Sequence, residues 1–169
     1  MIIAFPINGI GARFRKKGFT LPKPLLPIGK LTLLEKVLSS YPQHPSILYV
    51  FAVSDSLFKP ILKISPENSV IIRLVKDGNP ILTRGPLETL LQPTVGEELD
   101  SPDELLIADC DSFMENPLEL SEALDEFRKS KADGAIMTFN SQHPRWSYAR
   151  VNKKGKVLEV AEKKVISNQ

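Results

Sequence analysis

The sequence predicts an α/β protein built on a mostly parallel, mixed sheet covered by helices. Three observations carry that expectation. Apolar runs of strand length recur along the chain, at residues 1–6, Ile47–Val53, Ser69–Val75, Leu105–Ala108 and Gly134–Phe139. One of them, Ile47–Val53, is apolar without interruption, the pattern of a strand buried on both faces. Helical patterns fill the segments between the runs, and such β–α–β alternation calls for parallel strands joined by crossover helices.

The elements follow in chain order. Residues 1–6 read as a buried strand running straight into a loop. Residues 7–30 hold Gly9, Gly11, Gly18, Pro22, Pro24, Pro27 and Gly29, so they read as one long structured loop with no regular element. Thr32 should cap a helix over Leu33–Ser40, with Glu35 completing a capping box. After the strand at Ile47–Val53 comes a helix over Asp55–Leu62, which Pro60 is expected to distort or shorten. Ser69–Val75 is a further strand, and Pro86–Leu91 a short helix with proline in its first turn. Leu105–Ala108 forms an internal strand with Asp109-Cys110-Asp111 at its carboxyl end. In Pro117–Lys131, Leu118, Ser121, Leu124 and Phe127 repeat at helical spacing and define the expected apolar face. Gly134–Phe139 reads as another strand. Ser147–Val151 and Val157–Ala161 flank Lys154-Gly155 as a closing hairpin. No repeat or linker interrupts the pattern, so residues 1–169 are expected to form a single domain.

Composition narrows the function classes. Of the 169 residues, 42% are hydrophobic and 25% charged, which is globular rather than disordered. A single cysteine, Cys110, excludes an intrachain disulfide and a Cys-based zinc site, and two histidines make a His-rich metal site a poor candidate. The apolar runs are too short to span a bilayer, and no basic segment precedes an apolar core at the start, so a cytoplasmic protein with no membrane partner is expected. Net charge is only +2 but uneven: residues 1–36 carry seven basic groups and one acid, residues 97–126 twelve acids and no Lys or Arg. That asymmetry suggests an anion site near the N-terminus and solvated or metal-facing acids later. Nucleic acid is not the expected partner, because no aromatic residues alternate with the basic ones.

In parallel sheets, ligands bind beyond the carboxyl ends of the strands. Two features fall there. The first is Asn8-Gly9-Ile10-Gly11-Ala12-Arg13, where glycines let the backbone approach a ligand and N–H groups suit phosphate oxygens. Arg13 adds a fork-shaped cation, and Lys23, between Pro22 and Pro24, a point charge on a stiffened loop. Neither the Gly-x-Gly-x-x-Gly nor the Walker spacing is present, and composition alone favours a tight turn with solvated basic residues. The second feature is Asp109-Cys110-Asp111. Its carboxylates read either as a helix cap or acidic turn, or as ligands for a hard cation, and their place at a strand's carboxyl end favours the cation.

The stretches Pro6-Ile7-Asn8-Gly9-Ile10-Gly11-Ala12-Arg13-Phe14, Lys17-Gly18-Phe19 and Pro22-Lys23-Pro24-Leu25-Leu26-Pro27-Ile28 together resemble the signature of sugar-phosphate nucleotidylyltransferases, the nucleotide-sugar pyrophosphorylases. Gly85-Pro86-Leu87-Glu88-Thr89, Ala108-Asp109-Cys110-Asp111, Trp146-Ser147-Tyr148 and Glu162-Lys163 continue the resemblance in matching order across nearly the whole chain. It implies a three-layer, Rossmann-like nucleotidyltransferase fold of the kind also used by GT-A glycosyltransferases. The implied reaction transfers a nucleoside monophosphate from a nucleoside triphosphate to a sugar phosphate or similar small phosphorylated acceptor, releasing pyrophosphate, in nucleotide-sugar and polysaccharide biosynthesis. On that resemblance Asn8, Gly9, Ile10, Gly11, Ala12 and Gly85 bind the nucleotide, while Arg13 and Lys23 are catalytic. Asp111 holds Mg²⁺, with Asp109 sharing that role or orienting the turn. Trp146, Tyr148, Glu162 and Lys163 contact the acceptor, although Trp146 and Tyr148 equally suit hairpin packing and Glu162-Lys163 a solvated surface pair.

The sequence departs from the family pattern at three places. Asn8 stands where a small residue is usual, and Ala12 where a hydroxyl residue is usual. The family's C-terminal strands and helices, with a second metal-binding carboxylate, have no counterpart before Gln169. A sheet missing those strands exposes an edge suited to self-association. Two other readings compete: a GT-A glycosyltransferase, for which Asp109-Cys110-Asp111 is a literal Asp-x-Asp, and a non-catalytic nucleotide-binding module. Arg13 and Pro22-Lys23-Pro24 argue against the glycosyltransferase, which has no triphosphate to bind there.

Overall fold

The computed structural model describes residues 1–9, 11–100 and 104–167. They fall into two compact units, Met1–Ser121 and Glu122–Gln169.

In the first unit β1 (Ile2–Ile7) leads to a short helix α1 (Ala12–Lys16), then a 3-10 turn at Lys23–Leu25 and a small hairpin of β2 (Pro27–Ile28) and β3 (Leu31–Thr32). The loop expected to hold no regular element therefore contains a short helix, a 3-10 turn and a strand that pairs just beyond it. All are too short for hydrophobic periodicity to reveal. Next come α2 (Leu33–Leu38), β4 (Leu48–Val53), α3 (Asp55–Ile64), β5 (Ser69–Arg73) and a second small hairpin, β6 (Val75–Lys76) with β7 (Asn79–Pro80). Helices α4 (Pro86–Leu90) and α5 (Pro93–Leu99) and strand β8 (Leu105–Ile107) complete the set. Helix α5 was not evident in the sequence, where Gly96 and a lone buried Val95 leave little helical pattern.

Four strands form one wholly parallel sheet in the order β5-β4-β1-β8. Alternation along the strands sorts the core into two layers. Ile3, Phe5 and Ile7 of β1 and Tyr49, Phe51 and Val53 of β4 pack with Leu34, Val37 and Leu38 of α2 and Leu57 and Ile61 of α3. Phe5 stacks on Phe51 at 5.0 Å between ring centroids, and Tyr41 meets Phe5 edge-on at 5.6 Å. On the opposite face, Ala4 and Ala52 lie against Leu90 of α4 and Val95 of α5, with Leu74. Helices thus cover both faces. This is the three-layer α/β arrangement that the apolar runs of β1 and β4 require.

Helix α2 begins as the sequence dictates: the Thr32 hydroxyl accepts from the Glu35 N–H at 3.2 Å and the Glu35 carboxylate accepts from the Thr32 N–H at 2.7 Å. Helix α3 corrects one expectation. It runs ten residues through Pro60, because fully buried Ile61 and nearly buried Leu57 hold it on the sheet while proline removes a single ladder bond.

Helix α6 (Leu118–Ser130) forms, but its buried face is rotated from the expected one. Leu120 is buried and Ala123, Leu124 and Phe127 are half-buried, whereas Leu118 and Ser121 are exposed. In the second unit, β9 (Tyr148–Val151) and β10 (Val157–Ala161) pair antiparallel across a turn where Gly155 takes a φ of 76°. Gly134–Phe139 corrects another expectation: it is not a strand. A strand needs a partner for its backbone groups, none is paired with it among the described residues, and Ile136, Met137 and Phe139 are exposed. Among the described residues no helix is long and apolar enough to cross a membrane.

Candidate active site

Strands β1 and β8 are neighbours and parallel, with Ala4 opposite Ile107, so the segments after both strands leave the same end of the sheet. The Ala108 N–H donates to the Ala4 carbonyl at 2.9 Å and carries the pairing one residue further. The topology therefore puts the glycine loop beside Asp109-Cys110-Asp111.

Within the loop, Gly9 is exposed and Ile10, one of the expected nucleotide contacts, lies outside the described residues. Gly11 has a φ of 62°, a left-handed conformation that glycine adopts without a steric cost. Its carbonyl accepts from the Phe14 and Arg15 N–H groups at 2.9 and 3.1 Å, which turns Ala12–Lys16 into a helix. Ala12 and Arg13 sit exposed on its first turn.

Lys23 is fixed by its surroundings. Pro22 and buried Pro24 flank it, and the Leu25 N–H donates to the Pro22 carbonyl at 2.9 Å. Its ammonium lies 5.8 Å from the Phe14 ring centroid, and Phe14 packs edge-on against Phe19 at 5.7 Å. The same ammonium forms an ion pair with the Asp111 carboxylate. Two residues 88 positions apart in sequence are thus joined directly.

Partial enclosure by protein raises the pKa of Asp109 above the ordinary aspartate value; the Asp111 charge adds to this, and Lys23 partly offsets it. Burial likewise pushes the Cys110 thiol up to about 11, against the pull of Lys23, so it is no nucleophile at neutral pH. Tyr41 is pushed up to about 12 by burial, with the Asp109 charge contributing. Tyr41 thus belongs to the surroundings of the acidic turn, which no sequence spacing could have indicated.

Asn8 is buried, and its amide is engaged within the protein. Nδ2 donates to the Ile81 carbonyl at 2.9 Å and to Thr83 Oγ1 at 3.0 Å. Thr83 Oγ1 lies 2.7 Å from Thr89 Oγ1, and Thr89 donates to the Gly85 carbonyl at 3.1 Å. Gly85, expected at the base, is therefore joined to the end of β1 through side chains. Thr89 is buried and packs the start of α4.

The remaining expected residues belong to the second unit. Tyr148 is buried in β9 and its hydroxyl donates to the His143 carbonyl at 3.0 Å. Trp146 meets Phe139 edge-on at 5.4 Å, with Arg145 stacked 4.4 Å over its ring. Both aromatic residues line a groove with Ile136, Thr138 and Val160. Glu162 and Lys163 pair with each other in the exposed turn after β10, and this contact lowers the Glu162 pKa.

Two carboxylates, Asp109 and Asp111, offer hard oxygen donors at the end of β8. The neighbouring carboxylates, with a cation already drawn to Asp111, fit a divalent ion there. Among the described residues no group of three His, Cys, Asp or Glu is arranged to hold a metal. Two carboxylates suit Mg²⁺, which is commonly held by one or two such groups together with substrate phosphates.

No protein-family model and no curated protein matches the sequence. Among solved structures the chain is similar to the nucleoside-diphosphate-sugar pyrophosphorylase from Vibrio cholerae RC9, with a TM-score of 0.64 and 23% identity over 98% of this chain and 68% of that one. The likeness shows the fold alone: the chain shares the α/β fold of that structure.

Proposed function

We propose that the chain is a Mg²⁺-dependent nucleotidylyltransferase, transferring a nucleoside monophosphate from a nucleoside triphosphate to a sugar phosphate or similar small phosphorylated acceptor. The observation that carries the reading is the meeting of Lys23 and Asp111 at the carboxyl ends of adjacent parallel strands, beside the glycine loop. An acceptor phosphate oxygen would attack the α-phosphorus, and the bond to the bridging oxygen of the β-phosphate would break, releasing pyrophosphate. Little covalent work falls to the protein, so positioning and charge stabilisation dominate. Backbone groups around Gly9 and Gly11 would receive the triphosphate, and exposed Arg13 would meet the departing pyrophosphate. Lys23 would turn from Asp111 to the charge growing at the α-phosphorus. Bound at Asp109 and Asp111, Mg²⁺ would neutralise phosphate oxygens. In the second unit Trp146, Tyr148, Glu162 and Lys163 are the proposed acceptor contacts.

Thermal unfolding with Mg²⁺ and each of CTP, UTP, GTP, ATP and dTTP tests the reading. A ligand present at 100 times its dissociation constant stabilises the native state by about 2.7 kcal/mol. Stabilisation by one base, lost in Arg13→Ala, is the expected result and directs a pyrophosphate-release screen over sugar phosphates. No stabilisation by any triphosphate would leave the reading without support. The Asp-x-Asp at 109–111 also suits a glycosyltransferase; sugar transfer from a nucleotide-sugar without pyrophosphate release would select that alternative.

A further inference from the structure

We infer that Asn8 is a positioning residue, which pins the Gly85 turn to the end of β1 and thereby sets where that turn presents its free N–H. The inference rests on the nucleotide-binding reading above and names how that site is held. Both N–H groups of the Asn8 amide are committed, to the Ile81 carbonyl and to Thr83. Thr83 Oγ1 accepts from Asn8 and so has its own hydrogen to give to Thr89 Oγ1. Thr89 in turn gives its hydrogen to the Gly85 carbonyl. The relay has one self-consistent direction, from β1 to Gly85, and chains of this kind reinforce themselves in a partly buried setting.

The Gly85 carbonyl also accepts from the Thr89 N–H at 3.1 Å, so both its lone pairs are used. Among the described residues the Gly85 N–H is left to meet a ligand. Gly85 is extended, with a φ of −179°, and open space surrounds its missing Cβ, so no glycine-specific geometry imposes the turn. On its other side the Arg84 N–H donates to the Glu88 carboxylate at 2.7 Å in an exposed setting, a second and more solvated tie on the turn. A buried amide is costly unless all its donors are paired, and here the partners that satisfy it are the ones that hold Gly85.

Amide hydrogen exchange on the full chain, paired with binding of the Mg²⁺ complexes of CTP, UTP, GTP, ATP and dTTP, tests the relay. Asn8→Asp removes both donors and sets a carboxylate against the Ile81 carbonyl, and Thr83→Val removes the hydroxyl while keeping the shape. Each is expected to speed exchange of the Thr89 N–H, which is bonded to the Gly85 carbonyl, by about tenfold while leaving the β1–β4 ladder protected. Each should also weaken the best-bound triphosphate by about tenfold, roughly one buried hydrogen bond. The double variant should lose no more than the worse single one, and Thr83→Ser should behave as wild type. Unchanged exchange of the Thr89 N–H, or single effects that multiply in the double variant, would overturn the inference. If the wild type binds none of the five triphosphates, the nucleotide reading fails and exchange alone decides whether the relay holds the turn. If Asn8→Asp does not fold, the contrast between Thr83→Val and Thr83→Ser decides.

Discussion

Asp109 is the residue whose environment most clearly opposes its own charge. Its carboxyl is partly enclosed and faces the Asp111 carboxylate, and Lys23 compensates only in part. The folded-state pKa is therefore above the unfolded one, so the folded chain binds the proton more tightly. Stability from this residue is present at low pH and is lost as pH rises from the ordinary aspartate value through the raised one. Asp109→Asn, neutral and nearly isosteric, is expected to unfold at a higher temperature than wild type at pH 7, with the gap closing as pH falls toward 4. Unfolding curves of both proteins from pH 4 to 8 test this, and a gap independent of pH would contradict the assigned origin of the shift. A destabilising charge kept at a strand end is what a cation-binding site would require.

At the scale of elements, the start of α2 is decided locally. Thr32 and Glu35 satisfy each other's N–H groups, and these bonds hold the Glu35 carboxyl below its ordinary pKa. Thr32→Ala should cost about 1 kcal/mol, which for a chain of this size lowers the unfolding midpoint by roughly 2–4 °C; calorimetry at neutral pH measures it. Elements of this sort were legible in the sequence. The capping box, the uninterrupted run of β4 and the proline opening α4 each rest on neighbours in the chain. Elements that depend on distant partners were not. Gly134–Phe139 has the composition of a strand but no paired neighbour among the described residues, and the face of α6 turns to bury Leu120 instead of Leu118. The candidate site divides the same way. Lys23 and Asp111, which the structure joins, were singled out from motif and position, whereas the tie from Asn8 to Thr83 spans 75 residues and leaves no local pattern.

For the molecule as a whole, the sheet order decides which surfaces face solvent. β5 and β8 are its edges, and β8 is the less guarded. Its three residues are Leu105, Leu106 and Ile107, with no charge among them, and Leu105 and Ile107 are 46% and 54% exposed. Edge strands present unpaired N–H and C=O groups that another strand can join, and proteins commonly protect them with lysine, proline or a bulge. Among the described residues none of these lies on β8. The net charge of +2 offers little long-range repulsion to keep copies apart. We therefore expect reversible self-association through this edge, seen in sedimentation velocity as a sedimentation coefficient that rises with protein concentration. Ile107→Lys should suppress it, because a charged side chain on an edge resists pairing while the inward contacts of β1 and β4 are kept. Association that persists unchanged in Ile107→Lys would place the contact on another surface, and a sedimentation coefficient independent of concentration would show that so short an edge is not enough to recruit a second copy.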